Sequence, residues 1–261
     1  MAKLLILLIG LCMTNFLHSK QPIKAIIFDC DGTLVDSEEA HLSAWRRTLQ
    51  NRGHDLTLDQ CLLYTGKSAS VIAKLISESI GEGDPNEILA EKRAYYKELH
   101  EQGLPPIKAT VDFLKRLANE KERLGLKLGV ASAAVKSEIL SNLKHLEIED
   151  LFDVILSGHD DLTDYSDPEG VNKPKPYIYL HAAKLLNVSP TECVVIEDSA
   201  TGVISGKAAG CITIAVPNRF TEMQDLSAAT LKIESLSTIS VEEFLETVFL
   251  QKKQGELSNG T

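Results

Sequence analysis

Ile23-Lys24-Ala25-Ile26-Ile27-Phe28-Asp29-Cys30-Asp31-Gly32-Thr33 is the stretch that decides the fold. Its first six residues are almost continuously apolar, which suits a strand buried on both faces of a sheet. The run stops at Asp29, and a second carboxylate, Asp31, follows two residues later. Two carboxylates so close beyond a buried strand need a cation to coexist. Mg²⁺ takes one or two carboxylates together with water and substrate phosphate. Gly32 lets the chain turn sharply away.

Further apolar runs repeat the pattern along the chain. Residues 126–131 run up to Ser132, residues 154–156 form a short third strand, residues 193–196 stop at Glu197-Asp198, and residues 211–216 form a fifth. Helical patterns over 110–124, 136–145, 176–186 and 202–209 lie between them. Strands alternating with helices predict βαβ units and a parallel sheet covered on both faces. In such a sheet the active crevice lies beyond the carboxyl ends of the strands. Asp29, Ser132 and Glu197-Asp198 are distant in sequence and are expected to meet there.

Residues 38–104 break the alternation. They are helical in pattern, with Ala40-Trp45-Leu49 and Val71-Ile72-Leu75-Ile76 as apolar faces, and with turns at Asn51-Arg52-Gly53 and at 81–85. Pro105-Pro106 returns the chain to the α/β part. The fold class expected is therefore α/β. A Rossmann-like parallel sheet core is built from 21–37 and 105–250, with a small α-helical cap, 38–104, inserted after the first strand. Residues 251–261 read as a frayed polar tail.

The 261 residues carry a net charge of -10, which argues against a nucleic-acid partner. Residues 1–20 hold a lysine and an apolar run resembling a signal peptide, too short for a stable membrane span. Five scattered cysteines make no disulfide framework. Cys30, Cys193 and Cys211 lie in or beside apolar runs, where buried free thiols suit a reducing compartment. The two signals oppose each other; a cytoplasmic location is preferred, with export through residues 1–20 as the alternative. A monomer is expected.

Asp29-x-Asp31-Gly32-Thr33 resembles the first signature of the haloacid dehalogenase superfamily. Ser132 after a strand resembles the second, Lys173 in Asn172-Lys173-Pro174-Lys175-Pro176 the third, and Glu197-Asp198-Ser199-x-x-Gly202 the fourth. The resemblance implies a phosphohydrolase in which Asp29 is the nucleophile and Asp31 the general acid and base. It implies Mg²⁺ held by the Asp29 carboxylate, the Asp31 backbone carbonyl and Asp198, with Glu197 behind it. It also implies Ser132 and Lys173 on the phosphoryl oxygens. The helical insert resembles the family's small cap.

Asp36-Ser37-x-Glu39-x-His41-x-x-x-Trp45 resembles the cap opening of the β-phosphoglucomutase-like and CbbY-like sugar-phosphate enzymes. That makes His41 a candidate contact near the leaving group. Tyr64-Thr65-Gly66-Lys67-Ser68 resembles the specificity loop, with Lys67 a second candidate. The mutases carry an arginine shortly after that serine; Ala69 stands here, which favours a phosphatase over a mutase. A dehalogenase needs neither Asp31 nor Asp198. A non-catalytic binding protein on the same fold has no use for four complete motifs. The expected partner is a small phosphorylated metabolite, in the first instance a sugar phosphate. The segment 158–170 is longer and more acidic than the family's usual link, and is expected to be a solvated loop.

Overall fold

A computed structural model describes residues 23–57, 60 and 69–259. The leader-like run 1–20 and Lys67 lie outside them. The sheet begins with β1 (Ala25–Phe28), followed by helices α1 (Ser37–Gln50), α2 (Ala69–Ile80), α3 (Pro85–Glu101) and α4 (Lys108–Leu124). Then come β2 (Lys127–Ser132), α5 (Lys136–His145), β3 (Val154–Ser157), α6 (Tyr177–Leu185), β4 (Cys193–Glu197) and α7 (Ala200–Ala208). The chain closes with β5 (Ile212–Ala215), β6 (Leu231–Lys232) and α8 (Val241–Asn259). The six strands are ordered β3-β2-β1-β4-β5-β6, all parallel, so β1 is central.

Side-chain alternation divides each strand between two cores. Ile26, Phe28, Leu128, Val130, Val194 and Ile196 meet Phe113 and Leu117 of α4, Ile139 of α5 and Phe244 of α8. On the other face Ala25, Ile27, Ala131 and Val195 meet Ile178, Tyr179 and Ala182 of α6. Both faces of β1 are thereby dry, which is why its sequence is apolar throughout.

Helices α1, α2 and α3 have a core of their own, with Trp45, Leu49, Ile72, Ala73, Ile76, Ile88 and Leu89 buried. Asp36 caps α1 through the Glu39 amide, and Asp84 caps α3 through Asn86 ahead of Pro85. Val71, part of the apolar face read from the sequence, is exposed.

The C-terminal part differs from the sequence reading. Helix α8 continues to Asn259, where a frayed tail from 251 was expected. Its start is fixed by a capping box, in which the Ser240 hydroxyl accepts from the Glu243 amide and Glu243 accepts from the Ser240 amide. The acidic segment after β3 also has partners. Asp160 accepts from the Lys136 amide at the start of α5, Asp161 pairs with the Lys136 ammonium, and Asp167 and Glu169 both pair with Lys175. Its acidity neutralises a helix N-terminus and two lysines.

Phe244 is fully buried, edge-on to Phe113 at 4.9 Å between ring centroids. Phe244→Ala is expected to cost about 3–5 kcal/mol in urea unfolding. A loss below about 1 kcal/mol would make α8 peripheral to the core.

Candidate active site

Asp29, Ser132 and Glu197 stand at the carboxyl ends of three adjacent strands. The register Phe28↔Val130 and Phe28↔Ile196 brings Asp29 level with Ala131 and Glu197. The Asp29 amide extends the ladder by one bond, donating to the Ile196 carbonyl at 2.9 Å. Asp29, Ser132, Glu197 and Asp198 are all buried.

Lys173 arrives from the loop before α6. Its ammonium donates to Asp29 Oδ1 at 2.6 Å, to Glu197 Oε1 at 2.7 Å and to the Ala131 carbonyl at 3.1 Å. An ammonium has three protons, and all three are used. Glu197 is equally occupied. Its Oε1 also accepts from the Tyr179 hydroxyl at 2.8 Å, and its Oε2 accepts from the amides of Asp198 and Ser199 and from the Ser199 hydroxyl. A Cβ on Gly202 would lie 1.7 Å from Glu197 Oε1, so α7 approaches the site this closely only with glycine there. Glu197 thus holds Lys173 in position.

Asp31 stands apart from this cluster. Its Oδ2 accepts from the Ser132 hydroxyl at 3.0 Å, and that hydroxyl in turn accepts from the Ala134 amide. Asp29, Glu197 and Asp198 can each offer an oxygen within 4.8 Å of the others; Asp31 has no place in that group. A cavity of about 300 Å³ opens onto Asp29, Asp31, Ser132, Lys173 and Asp198. Glu38, Thr201 and, from the loop after β5, Phe220, Thr221 and Gln224 also line it.

His41 lies elsewhere in the structure than the cavity lining. Its ring stacks on Tyr96 at 4.0 Å, and its Nδ1 is 2.7 Å from the ammonium of buried Lys92. Burial, with the Lys92 charge beside it, lowers His41 to about 3; burial lowers Lys92 to about 8. His41 is therefore neutral, with Nδ1 accepting from Lys92 and the ring proton on Nε2. The sequence reading missed Lys92, Tyr179 and the Phe220–Gln224 side of the cavity. Tyr179 could have been found as the one polar side chain on the apolar stripe of 176–186; Lys92 lies in a run of charges and gives no such signal.

The chain matches the haloacid dehalogenase-like hydrolase family over residues 26–216. It is 31% identical to the phosphorylated carbohydrates phosphatase of Thermotoga maritima, over 72% of this chain and 82% of that one. It is 29% identical to the protein CbbY of Rhodobacter capsulatus, over 86% of this chain and 98% of that protein. Among solved structures, β-phosphoglucomutase from Clostridium difficile superposes with a TM-score of 0.64 at 26% identity, covering 89% of this chain and 99% of that one.

The site carries more negative charge than its one buried ammonium can balance. Burial pushes Asp29 up to about 8, with Glu197 and Asp31 adding to the shift and Lys173 opposing it. Burial, then Glu197 and Asp29, holds Asp198 well above the usual carboxylate range. Burial would lower Lys173, but Asp29 and Glu197 outweigh it and keep it charged. The donor set is all oxygen, and a divalent cation would restore the balance.

Between the ordinary 3.8 and about 8, folded Asp29 holds a proton that the unfolded chain has released. Its contribution to stability therefore falls as pH rises through that interval. In excess chelator, Asp29→Asn is expected to gain stability relative to wild type from pH 6.5 to 8, by up to about 1.4 kcal/mol per pH unit. Melting curves of the two proteins across that range check it, and a flat difference would contradict it.

Proposed function

The chain belongs to the haloacid dehalogenase-like hydrolases, and we propose that it is a Mg²⁺-dependent phosphatase of small phosphorylated sugars acting through an aspartyl-phosphate. The observation that carries this reading is the pair Asp29 and Asp31. Asp29 is held at 2.6 Å from a fixed ammonium, and Asp31, two residues on, hydrogen-bonds the Ser132 hydroxyl at 3.0 Å. One carboxylate is set for attack and the other for proton transfer. The name of the Thermotoga relative supports a sugar phosphate as substrate.

In this mechanism the Asp29 carboxylate attacks phosphorus and the bond from phosphorus to the sugar oxygen breaks. Asp31 gives its proton to that departing oxygen. Asp31 then takes a proton from water, which attacks phosphorus, releases inorganic phosphate and restores Asp29. Ser132 and Lys173 stabilise charge on the phosphoryl oxygens as groups fixed beforehand. Asp29, the Asp31 backbone carbonyl and Asp198 would hold Mg²⁺. When bound, it supplies positive charge that keeps Asp29 ionised and the phosphate neutralised.

Residues 38–104 act as a cap that closes over the cavity and excludes water. On closure Lys67 and His41 are the cap's candidate contacts with the sugar, and His41 would bring its Nε2–H, because Lys92 occupies Nδ1. The buried free thiols of Cys30, Cys193 and Cys211 support assignment to the cytoplasm.

Phosphate release from a panel of sugar phosphates tests the reading. Turnover is expected with Mg²⁺, to fall when Ca²⁺ replaces it, and to stop in excess chelator. Asp29→Asn is expected to lose at least about a thousandfold in kcat. More than a few per cent of residual activity would reject the covalent route. Transfer of phosphate to a second sugar hydroxyl without release would favour a mutase.

A further inference from the structure

We infer that Asn218 is a positioning residue that holds the carboxylate of Asp198 for its cation, an assignment that rests on the reading of Asp198 as a magnesium ligand. Asn218 begins the loop after β5. That loop starts beside the site because Glu197 pairs with Ala215 and the Val216 amide donates to the Glu197 carbonyl at 2.7 Å. The Asn218 side chain then reaches back into the site. Its Nδ2 donates to Asp198 Oδ2 at 2.9 Å and to the Gly32 carbonyl at 3.0 Å. One amide group thereby ties together two catalytic loops that lie far apart in sequence.

The orientation of this amide is dictated by its surroundings. Oδ1 accepts from the Phe220 amide at 2.8 Å, the Asn218 amide donates to the Thr221 hydroxyl at 3.0 Å, and the Asn218 carbonyl accepts from the amides of Thr221 and Glu222. Turning the side chain over would set an oxygen against two oxygens and an NH₂ against an N–H. With Oδ2 engaged, the Asp198 carboxylate cannot rotate freely about its Cβ–Cγ bond. The contact is close-packed: a Cβ on Gly32 would lie 2.4 Å from Asp198 Oδ2 and 3.1 Å from Asn218 Nδ2. A neutral amide suits the task, because lysine or arginine at this point would repel the cation that Asp198 is held for. Outer partners of metal-binding carboxylates act in this way, and losing one costs about 10–100-fold in metal affinity.

Calorimetric titration of the full chain with Mg²⁺ at pH 7.5 tests the assignment without relying on turnover. Asn218→Ala and Asn218→Ser are expected to bind Mg²⁺ about 10–100-fold more weakly than wild type. In turnover assays they are expected to need correspondingly more Mg²⁺ for half-maximal rate, while kcat at saturating Mg²⁺ stays within about fivefold of wild type. Serine is the smaller change and serves if the alanine variant does not fold. Arg219→Ala removes the neighbouring side chain, whose guanidinium bonds Glu39 at 2.6 Å, and is expected to leave Mg²⁺ affinity unchanged. If Arg219→Ala weakens Mg²⁺ as much, anchoring of the loop and not the amide sets the affinity, and the assignment fails. Asp198→Ala is expected to lose measurable Mg²⁺ binding. Should it bind normally, the metal reading fails and this assignment with it. Should it lose Mg²⁺ while both Asn218 variants bind as wild type, the metal reading stands and the positioning role is wrong.

Discussion

The rest of the site depends on the three-way engagement of the Lys173 ammonium. A buried charge is tolerated only when its protons are all placed, and this one donates to Asp29, to Glu197 and to the Ala131 carbonyl. Those three acceptors belong to the ends of β1, β4 and β2. A slip of one residue in either pairing would turn an acceptor to the opposite face of the sheet. The catalytic geometry is therefore a consequence of strand register, and Tyr179 and Ser199 stiffen it by filling the remaining lone pairs of Glu197.

Around that centre the molecule separates two duties. The sheet supplies carboxylates on strand ends, and the loop before α6 supplies the ammonium that they hold. The layer holding α1, α2 and α3 has its own apolar core around Trp45 and carries the contact between half-buried His41 and buried Lys92, with Tyr96 and Trp45 beneath the ammonium. Between the two runs the loop after β5, with Asn218 on the sheet side and Arg219 bonded to Glu39 and Asp36 at the first turn of α1. Asp36 also caps α1, so the base of the helical layer is joined to the loop that lines the cavity.

Much of this arrangement could be read from the sequence, because apolar runs stop abruptly at the residues that matter. Asp29, Ser132 and Glu197-Asp198 announce themselves as polar residues at the ends of buried strands. Asn218 stands just past the end of 211–216, but its partners Asp198 and Gly32 belong to other segments and meet it only in three dimensions. Lys173 has no such pattern and was identified only through its resemblance to a family motif. β6 is two residues long and too short to show a period. Lys92 is buried yet sits in the charged run Glu91-Lys92-Arg93, where composition suggests a solvated face. The acidic segment 158–170 resisted explanation because its partners Lys136 and Lys175 lie outside it and meet it only in three dimensions.

The strand order has a temporal consequence. β1 is made early and sits at the centre of the sheet, but its partner β4 pairs with it at Ala25↔Cys193. About 170 residues must be synthesised in between, which takes roughly ten to thirty seconds on the ribosome. Through that interval the wholly apolar strand 25–28 has one edge without its native neighbour, and Asp29 has neither Lys173 nor Glu197 beside it. Asp29 is thus among the first residues of the site to leave the ribosome, and the cluster around it among the last parts of the chain to form. The contacts that close it are non-local in a way that slows folding. A nascent chain interrupted before residue 197 is exposed to aggregation along that edge and is catalytically silent, so no partly made enzyme can turn over a phosphate.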